Sequence, residues 1–439
     1  MIQRGAFLDY YKQMQKRINK KKKLDKKLAE QHRKDMQKAE RSAVSSASAS
    51  AKKPVKKSGG EMTIKKKNII TLAAVIALTV VFVFCLCNIS YLTPSRLPER
   101  IKAISANSGS GEGFPYGYDS TGLKSFSTFS GNDLILLNDR DLTVLNRSAR
   151  PVLAYSHEMA KPILKTSADR ILLYDLSSKR IDVLNQSGVL YQTETDYPII
   201  CADISQNSDR YVVAVNESGQ TKNVYVYSRK NKKIFTWSSG SGYIVDVAIS
   251  ANGAYVAVGM VNTSNAEPYS TVICFDTSSG KQRSQKKLEG TTIYSVDFVT
   301  NGNVCSLSSN SVNVTNIKGK KIFSLSLNAS TNYQLYTDKS GNIVNLYSAY
   351  NSGDYYLDVY SSAGKKKLSY QIGKPIWSYS DGSNVVVLQG DNKAVMFSVS
   401  RQDRYSCEFD SSASRIALRG KSVYLVQSGK IVKMSVKRE

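Results

Sequence analysis

Few side chains in this sequence are equipped for chemistry, and their spacing limits what that chemistry could be. Only His32 and His157 are histidines. A triad built on His157 would need a nucleophilic serine and a carboxylate. No nucleophile elbow accompanies it, so His157 reads as a surface histidine. Asp203, Asp246 and Asp297 occur once each in three successive stretches of similar pattern. Paired carboxylates facing one cavity serve glycoside hydrolysis or hold a cation. Here they do not repeat as a set: Asp203 and Asp297 align with Ala248, and Asp246 aligns with Cys201 and Ser295. They read as solvated or turn-bonded aspartates, and no calcium loop of Asp-x-Asp-x-Asp-Gly type occurs.

Cys201, Cys274, Cys305 and Cys407 are widely spaced, and Cys85 and Cys87 fall in an apolar run. Without a CxxC or Cys/His cluster, zinc and haem sites have no basis. The four dispersed cysteines read as buried thiols packed as small apolar groups. No catalytic, cofactor-binding or metal-ligating residue is therefore assigned, and the expected activity is non-enzymatic. Tyrosine is the remaining candidate. The stretch "YSAYNSGDYY" (Tyr347 to Tyr356) reads as a hairpin tip whose tyrosines offer stacking surface for a sugar or a protein partner.

The elements that position these residues begin with "KKKNIITLAAVIALTVVFVFCLCNISYL" (Lys65 to Leu92). Ile69 to Ile89 is 21 residues without a charge. At ~1.5 Å per residue it makes a helix of about 31 Å, matching a hydrocarbon core of ~30 Å. The stretch before it is too long for a secretory n-region, and no small-residue cleavage site follows Cys87. Phe82, Val83 and Phe84 before Cys85 do not fit a lipidation site. The expectation is a retained transmembrane helix over 68–91. Lys52, Lys53, Lys56, Lys57, Lys65, Lys66 and Lys67 precede it, and the first positive residue beyond is Arg96. That asymmetry predicts a plasma-membrane protein with a cytoplasmic N-terminus and residues 92–439 outside.

The formal charge of the chain is +26, and residues 1–67 contribute 21 Lys and Arg against 6 carboxylates. Within this tail Phe7, Tyr11, Met14 and Ile18 share one helical face among basic neighbours. Such a segment either lies on an anionic inner leaflet or stays solvated and enforces topology. Nucleic acid is disfavoured as a partner, because no base-reading module accompanies the lysines. "SAVSSASASAKKPVKKSGG" (Ser42 to Gly60) reads as a flexible linker.

Beyond the span, "SRLPERIKAI" (Ser95 to Ile104) predicts a short helix, with Pro98 in its first turn. "SANSGSGEG" (Ser105 to Gly113) is expected to break it. Residues 92–113 are thus a juxtamembrane helix and linker. From Phe114 to Glu439 the sequence is strands and turns. One strand returns as "LTVLN" (Leu142), "IDVLN" (Ile181), "VYVYS" (Val224) and "VICFD" (Val272). It recurs as "VNVTN" (Val312), "LDVYS" (Leu357), "VMFSV" (Val395) and "IVKMS" (Ile431), at spacings of 36 to 48 residues. Between copies lie three more strands and turns such as "ANG" (Ala251), "TNGN" (Thr300) and "DKSGN" (Asp338). Four strands per ~40 residues mark a β-propeller blade. The prediction is an all-β, eight-bladed propeller over 114–439, with seven blades as the alternative. The last blade lacks an outer strand, which "FPYGYD" (Phe114 to Asp119) is placed to supply.

This layout resembles WD-repeat and quinoprotein-like propellers, without the Trp-Asp dipeptide, since Trp237 and Trp377 each precede Ser. With the basic tail, the span and "GEGFP" (Gly111 to Pro115), the plan is similar to an uncharacterised family of single-span membrane proteins of clostridial Gram-positive bacteria. The resemblance implies an anchored propeller outside the membrane and no activity. The expected role is a scaffold in the cell envelope contacting a protein or cell-wall glycan. The alternative is an enzyme or small-ligand sensor at the channel mouth, signalling through the tail.

Overall fold

The computed structural model describes residues 97–439 except 130–132, 218–220, 328, 350–352 and 391, together with Val75 and Thr79. The chain divides into two compact units, Met1–Cys87 and Asn88–Glu439. In the first, Val75 and Thr79 are helical, and the Thr79 hydroxyl donates to the Val75 carbonyl at 2.8 Å. The span predicted over 68–91 and the tail over 1–67 otherwise lie outside the described residues. Among the described residues no helix is long and apolar enough to cross a membrane.

The second unit is an all-β ring of eight antiparallel sheets. Blades 1 to 6 span 125–156, 162–194, 199–239, 243–289, 293–326 and 329–372. Blade 7 spans 375–408, and blade 8 begins at Ala413. The first strand of each blade is innermost, and the eight recurring sequences are the third strands. Middle strands such as Asp133–Leu137 are buried throughout. Each face of a middle strand packs on a neighbouring blade, so its sequence reads as a continuous apolar run. Outer strands such as Gln282–Glu289 alternate between exposed and half-buried residues and carry lysines, which blunts their free edges.

Each interface between neighbouring blades holds its own apolar cluster. Val226, Val247, Ile249 and Val258 join blades 3 and 4. Phe129, Leu142, Ile171 and Leu173 join blades 1 and 2. The ring closes where Phe126 and Leu136 of blade 1 meet Tyr424 and Val426 of blade 8, covered by Phe114 and Tyr116. As the sequence predicts, the Tyr116–Gly117 strand pairs with the third strand of blade 8, Tyr116 opposite Ile431. An unexpected fifth strand, Lys437–Arg438, pairs with the outer strand of blade 7. It covers an edge that would otherwise be open. Turns need glycine where the backbone is left-handed. At Gly341 (φ 74°) a Cβ would collide with the Val299 carbonyl of blade 5.

The predicted short helix is α1, Leu97–Asn107. It runs three residues past the expected end at Ile104, because its last turn is fastened: Asn107 Nδ2 donates to Asp133 Oδ2 at 3.0 Å. Its polar side faces the propeller. Arg100 holds Asp169 through two bonds of 3.1 and 2.8 Å. Glu99 Oε2 accepts from Arg170 at 2.9 Å and from Arg229 at 2.7 Å. Arg229 also meets Asp209 at 3.0 Å. Arg170 is 2 % exposed, so its charge is tolerable only because it is paired. Past α1, Gly111 N donates to Ser148 Oγ at 2.8 Å and Gly113 N to the Ser148 carbonyl at 3.0 Å. The segment before the first blade is therefore strapped over blades 1 to 3. It lies on the face formed by the turns between first and second strands and between third and fourth strands, here the tether face. The opposite, far face carries the other hairpin turns and the blade-to-blade connections.

Closure predicts a specific sensitivity. Phe114 packs edge-on against Tyr424 with ring centroids 5.2 Å apart. Phe114→Ala, a half-buried truncation, is expected to cost roughly 2 kcal/mol in chemical denaturation while the unfolding stays cooperative. An unchanged midpoint would show that this contact does not hold the ring shut.

Candidate functional site

The innermost strands line a channel whose two arcs differ in chemistry. One arc, from blades 2 to 5, is charged. "PILKT" of blade 2 places Lys165 there, and Asp203, Asp246 and Asp297 lie on the innermost strands of blades 3, 4 and 5. All four side chains are half-buried. Burial by itself would push the Lys165 ammonium down. Asp203, Asp246 and Asp297 outweigh it and hold the ammonium above lysine's ordinary range. Burial raises the Asp203 carboxyl against the pull of Lys165. Burial, with the like charge of Asp203, pushes the Asp297 carboxyl up to about 6.

The expectation of solvated or turn-bonded aspartates is corrected here. Each carboxylate reaches the next blade. Asp203 Oδ2 accepts from Ile249 N at 3.0 Å. Asp246 Oδ2 accepts from Ser295 Oγ at 2.8 Å and Val296 N at 3.0 Å. Asp297 accepts from the Thr337 hydroxyl and from Phe298 N at 2.7 Å. The aspartates are interblade clips. A carboxylate offers several acceptor sites, so one side chain can satisfy backbone and hydroxyl donors that packing would otherwise strand.

The other arc is aromatic. A cavity of about 860 Å³ runs along the innermost strands of blades 6 and 7, lined by Phe126, Tyr294, Tyr333, Tyr336, Trp377 and Tyr379 with hydroxyls between them. Tyr294 and Tyr333 stand at its far-face end and are 48 % and 40 % exposed. The clip device continues in other residue types. Gln334 Oε1 accepts from Ser378 N at 2.5 Å, the Tyr336 hydroxyl bonds Ser378 Oγ at 3.2 Å, and the Tyr379 hydroxyl bonds Thr128. Lys339 donates to the Thr128 carbonyl at 3.4 Å. Arg415 lies over the Trp377 ring at 4.2 Å, a cation–π contact that fixes the indole.

His157 is not on the surface. It is fully buried, its Nδ1 accepts from Met159 N at 3.0 Å, and its Nε2 donates to the Asn138 carbonyl at 3.1 Å. It joins two far-face turns. The sequence leaves it on a loop, and the loop folds inward because both ring nitrogens are used. The tyrosine stretch is also more enclosed than expected. Tyr347 and Tyr356 stack at 5.6 Å, and the Tyr347 and Tyr360 hydroxyls meet Asp358; its tip, 350–352, lies outside the described residues. Cys201, Cys274 and Cys305 are buried in interblade clusters, and Cys407 is half-buried. Burial raises all four thiols, Cys274 to about 11, which keeps them protonated. Among the described residues no cluster of three or more His, Cys, Asp or Glu is arranged to hold a metal.

Lys165 and the aromatic arc escape a reading of motifs. The signal for Lys165 is a lysine inside an apolar strand, and for the arc it is Tyr336 and Tyr379 ahead of the turn where earlier blades place aspartate.

The raised Asp297 carboxyl sets a pH dependence. The folded state holds its proton more tightly than the unfolded state does, so this group's contribution to stability falls as pH rises from about 4 to about 6. The loss is on the order of 3 kcal/mol. Asp297→Asn removes the titration and keeps an acceptor. The difference in unfolding free energy between variant and wild type should shift in the variant's favour by that order between pH 4 and pH 7. A pH-independent difference would contradict the assignment.

Comparisons with known proteins agree with this architecture. The designed protein Ika8 superposes with a TM-score of 0.55 at 12% identity, covering 74% of this chain and 100% of that one. The C-terminal WD40 domain of Sif2 gives 0.53 at 9% identity, with 75% and 100% covered. BamB from Moraxella catarrhalis gives 0.48 at 11%, with 74% and 99% covered. At these identities the first two likenesses establish the fold alone. A comparison with curated protein sequences finds no match. The family model described as "Family of unknown function (DUF5711)" matches residues 117–436, nearly the whole propeller, and the chain belongs to that family.

Proposed function

We propose that the protein is a membrane-anchored, non-enzymatic scaffold whose propeller lies outside the cell and binds a partner at the far-face mouth of its channel. The observation that carries this reading is the division of labour in the channel. Asp203, Asp246 and Asp297, the groups best equipped for acid–base work, are engaged in bonds to neighbouring blades. Tyr294 and Tyr333 remain open at the mouth. Exposed aromatics on a rigid frame supply contact area at little entropic cost. They suit an apolar side chain of a protein partner or a pyranose ring of the wall. Anchoring is supported by the apolar run of Ile69 to Ile89 and by the lysines before it.

A second reading follows from the 860 Å³ cavity, which lies in the size range of small-molecule sites. In it the channel receives a small ligand and the protein is a sensor.

One experiment separates the two. A photo-crosslinking residue replacing Tyr294 or Tyr333 in cells should capture one defined macromolecule, and Trp377→Ala should reduce the capture at least ~10-fold. If nothing is captured while a small molecule co-purifies and is lost in Trp377→Ala, the sensor reading stands instead. A reporter fused after Ser95 should be found outside the cell; a cytoplasmic reporter would remove the anchored topology.

A further inference from the structure

The helix α1 is mounted inside out. Glu99 and Arg100 face the propeller, and Leu97, Ile101 and Ile104 lie on the solvent side, 40 %, 57 % and 71 % exposed, with Ile104 at the rim of the cleft between the helix and blade 2. These positions are spaced by four and three residues and form one stripe, with exposed Lys102 beside it. Soluble surfaces scatter their apolar residues singly. A stripe held outward by Arg100–Asp169 and by Glu99 with Arg170 and Arg229 is held there by the fold.

The surroundings of the stripe are basic. The turns between third and fourth strands lie on the same tether face and place Lys230 and Lys232 in blade 3, Lys281 in blade 4, Lys318 and Lys320 in blade 5 and Lys365 in blade 6, all exposed. Asp403 is the one carboxylate in these turns, and the turns between first and second strands on the same face add Asp169, Asp209, Asp338 and Asp381 together with Arg170, Arg210, Lys339 and Lys421. The far face is nearer to balance: its described turns and connections carry Asp119, Asp139, Glu158, Asp196, Glu217, Asp354 and Asp410 against Lys124, Arg140, Lys161, Lys179 and Lys374. Outside the basic tail the chain carries a further excess of 11 positive charges, and much of it gathers on the tether face.

We infer that the tether face docks flat on an anionic phospholipid bilayer, with Leu97, Ile101 and Ile104 seated at the headgroup boundary and the lysines of the turns contacting lipid phosphates. An exposed apolar helical stripe framed by lysines is the pattern of an interfacial element, and the lysine stems can lie along the apolar boundary while their ammonium groups reach phosphate. The occupant follows from the chain itself. The apolar run ends at Ile89, seven residues before Arg96 and eight before α1, so a bilayer is the surface within reach. The inference rests on the anchored reading above and turns it into an orientation: far face and aromatic mouth outward, tether face against lipid.

The test uses the full chain in nanodiscs of phosphatidylcholine with or without phosphatidylglycerol, in a background with Cys85→Ser, Cys87→Ser and Cys407→Ser. Bimane is attached at Ile104→Cys or, on the far face, at Ser428→Cys, and quenched by doxyl-labelled lipid. Position 104 should be quenched severalfold more than position 428, and more strongly with phosphatidylglycerol present. Each lysine near an anionic surface contributes about a fivefold factor. Combining Lys230→Glu, Lys232→Glu, Lys318→Glu and Lys320→Glu should therefore weaken docking at least ~100-fold and abolish the phosphatidylglycerol effect. Equal quenching at both positions, or none at 104 while the chain stays on the discs, overturns the inference. Binding of soluble poly(glycerol phosphate) without quenching at 104 would assign the basic face to a wall polymer and also overturn it. A chain that elutes apart from the discs would count against the anchored reading itself.

Discussion

Everything in this fold depends on closing a ring of sheets. A blade buries apolar residues on both faces of its middle strands, so it is stable only between two neighbours. Eight interfaces, each with its own cluster, satisfy that requirement for all blades at once. The interface between blades 8 and 1 is the one that chain connectivity does not supply. It is supplied by the Tyr116–Gly117 strand and by Phe114 over Tyr424. Much of the remaining architecture supports that joint, including the Lys437–Arg438 strand beside it on blade 7.

Closure also explains the channel. Innermost strands converge on an axis where backbone and hydroxyl donors face a neighbouring blade with little room between. Asp203, Asp246, Asp297, Gln334 and Tyr336 meet those donors, and Lys165 balances the accumulated negative charge. The channel is thus a seam of polar fasteners along one arc and an aromatic recess along the other.

The period of the third strand is readable because it lies between neighbouring blades: in most blades its core positions are buried, as in Arg180–Asn185 and Lys222–Tyr227, and call for Val, Ile, Leu or an aromatic residue, while in blade 8 only Ile431 of this strand is buried. The missing outer strand of the last blade was readable for the same reason: an edge must be covered. The site was much less legible. His157 lies in a loop, and nothing local tells that both its ring nitrogens will find backbone partners. The aspartates align imperfectly because each answers a donor on a different strand, and that donor's position is set by a neighbour about 40 to 50 residues away. Lys165 and the aromatic recess come together only around the axis, across blades distant in sequence. The face that carries the lysines is likewise invisible until the turns are sorted into two sides of a disc.

The straps before the first blade carry a mechanical meaning. A two-residue strand is a weak joint, and it lies next to the end of the propeller through which the chain continues toward its N-terminus. Any pull along that direction would peel Tyr116 from Ile431 first if nothing lay upstream. Arg100 on Asp169, Glu99 between two arginines and Asn107 on Asp133 intercept the load and spread it over blades 1 to 3. The ring's clasp is relieved of tension by a second grip, as a cable is clamped before its connector.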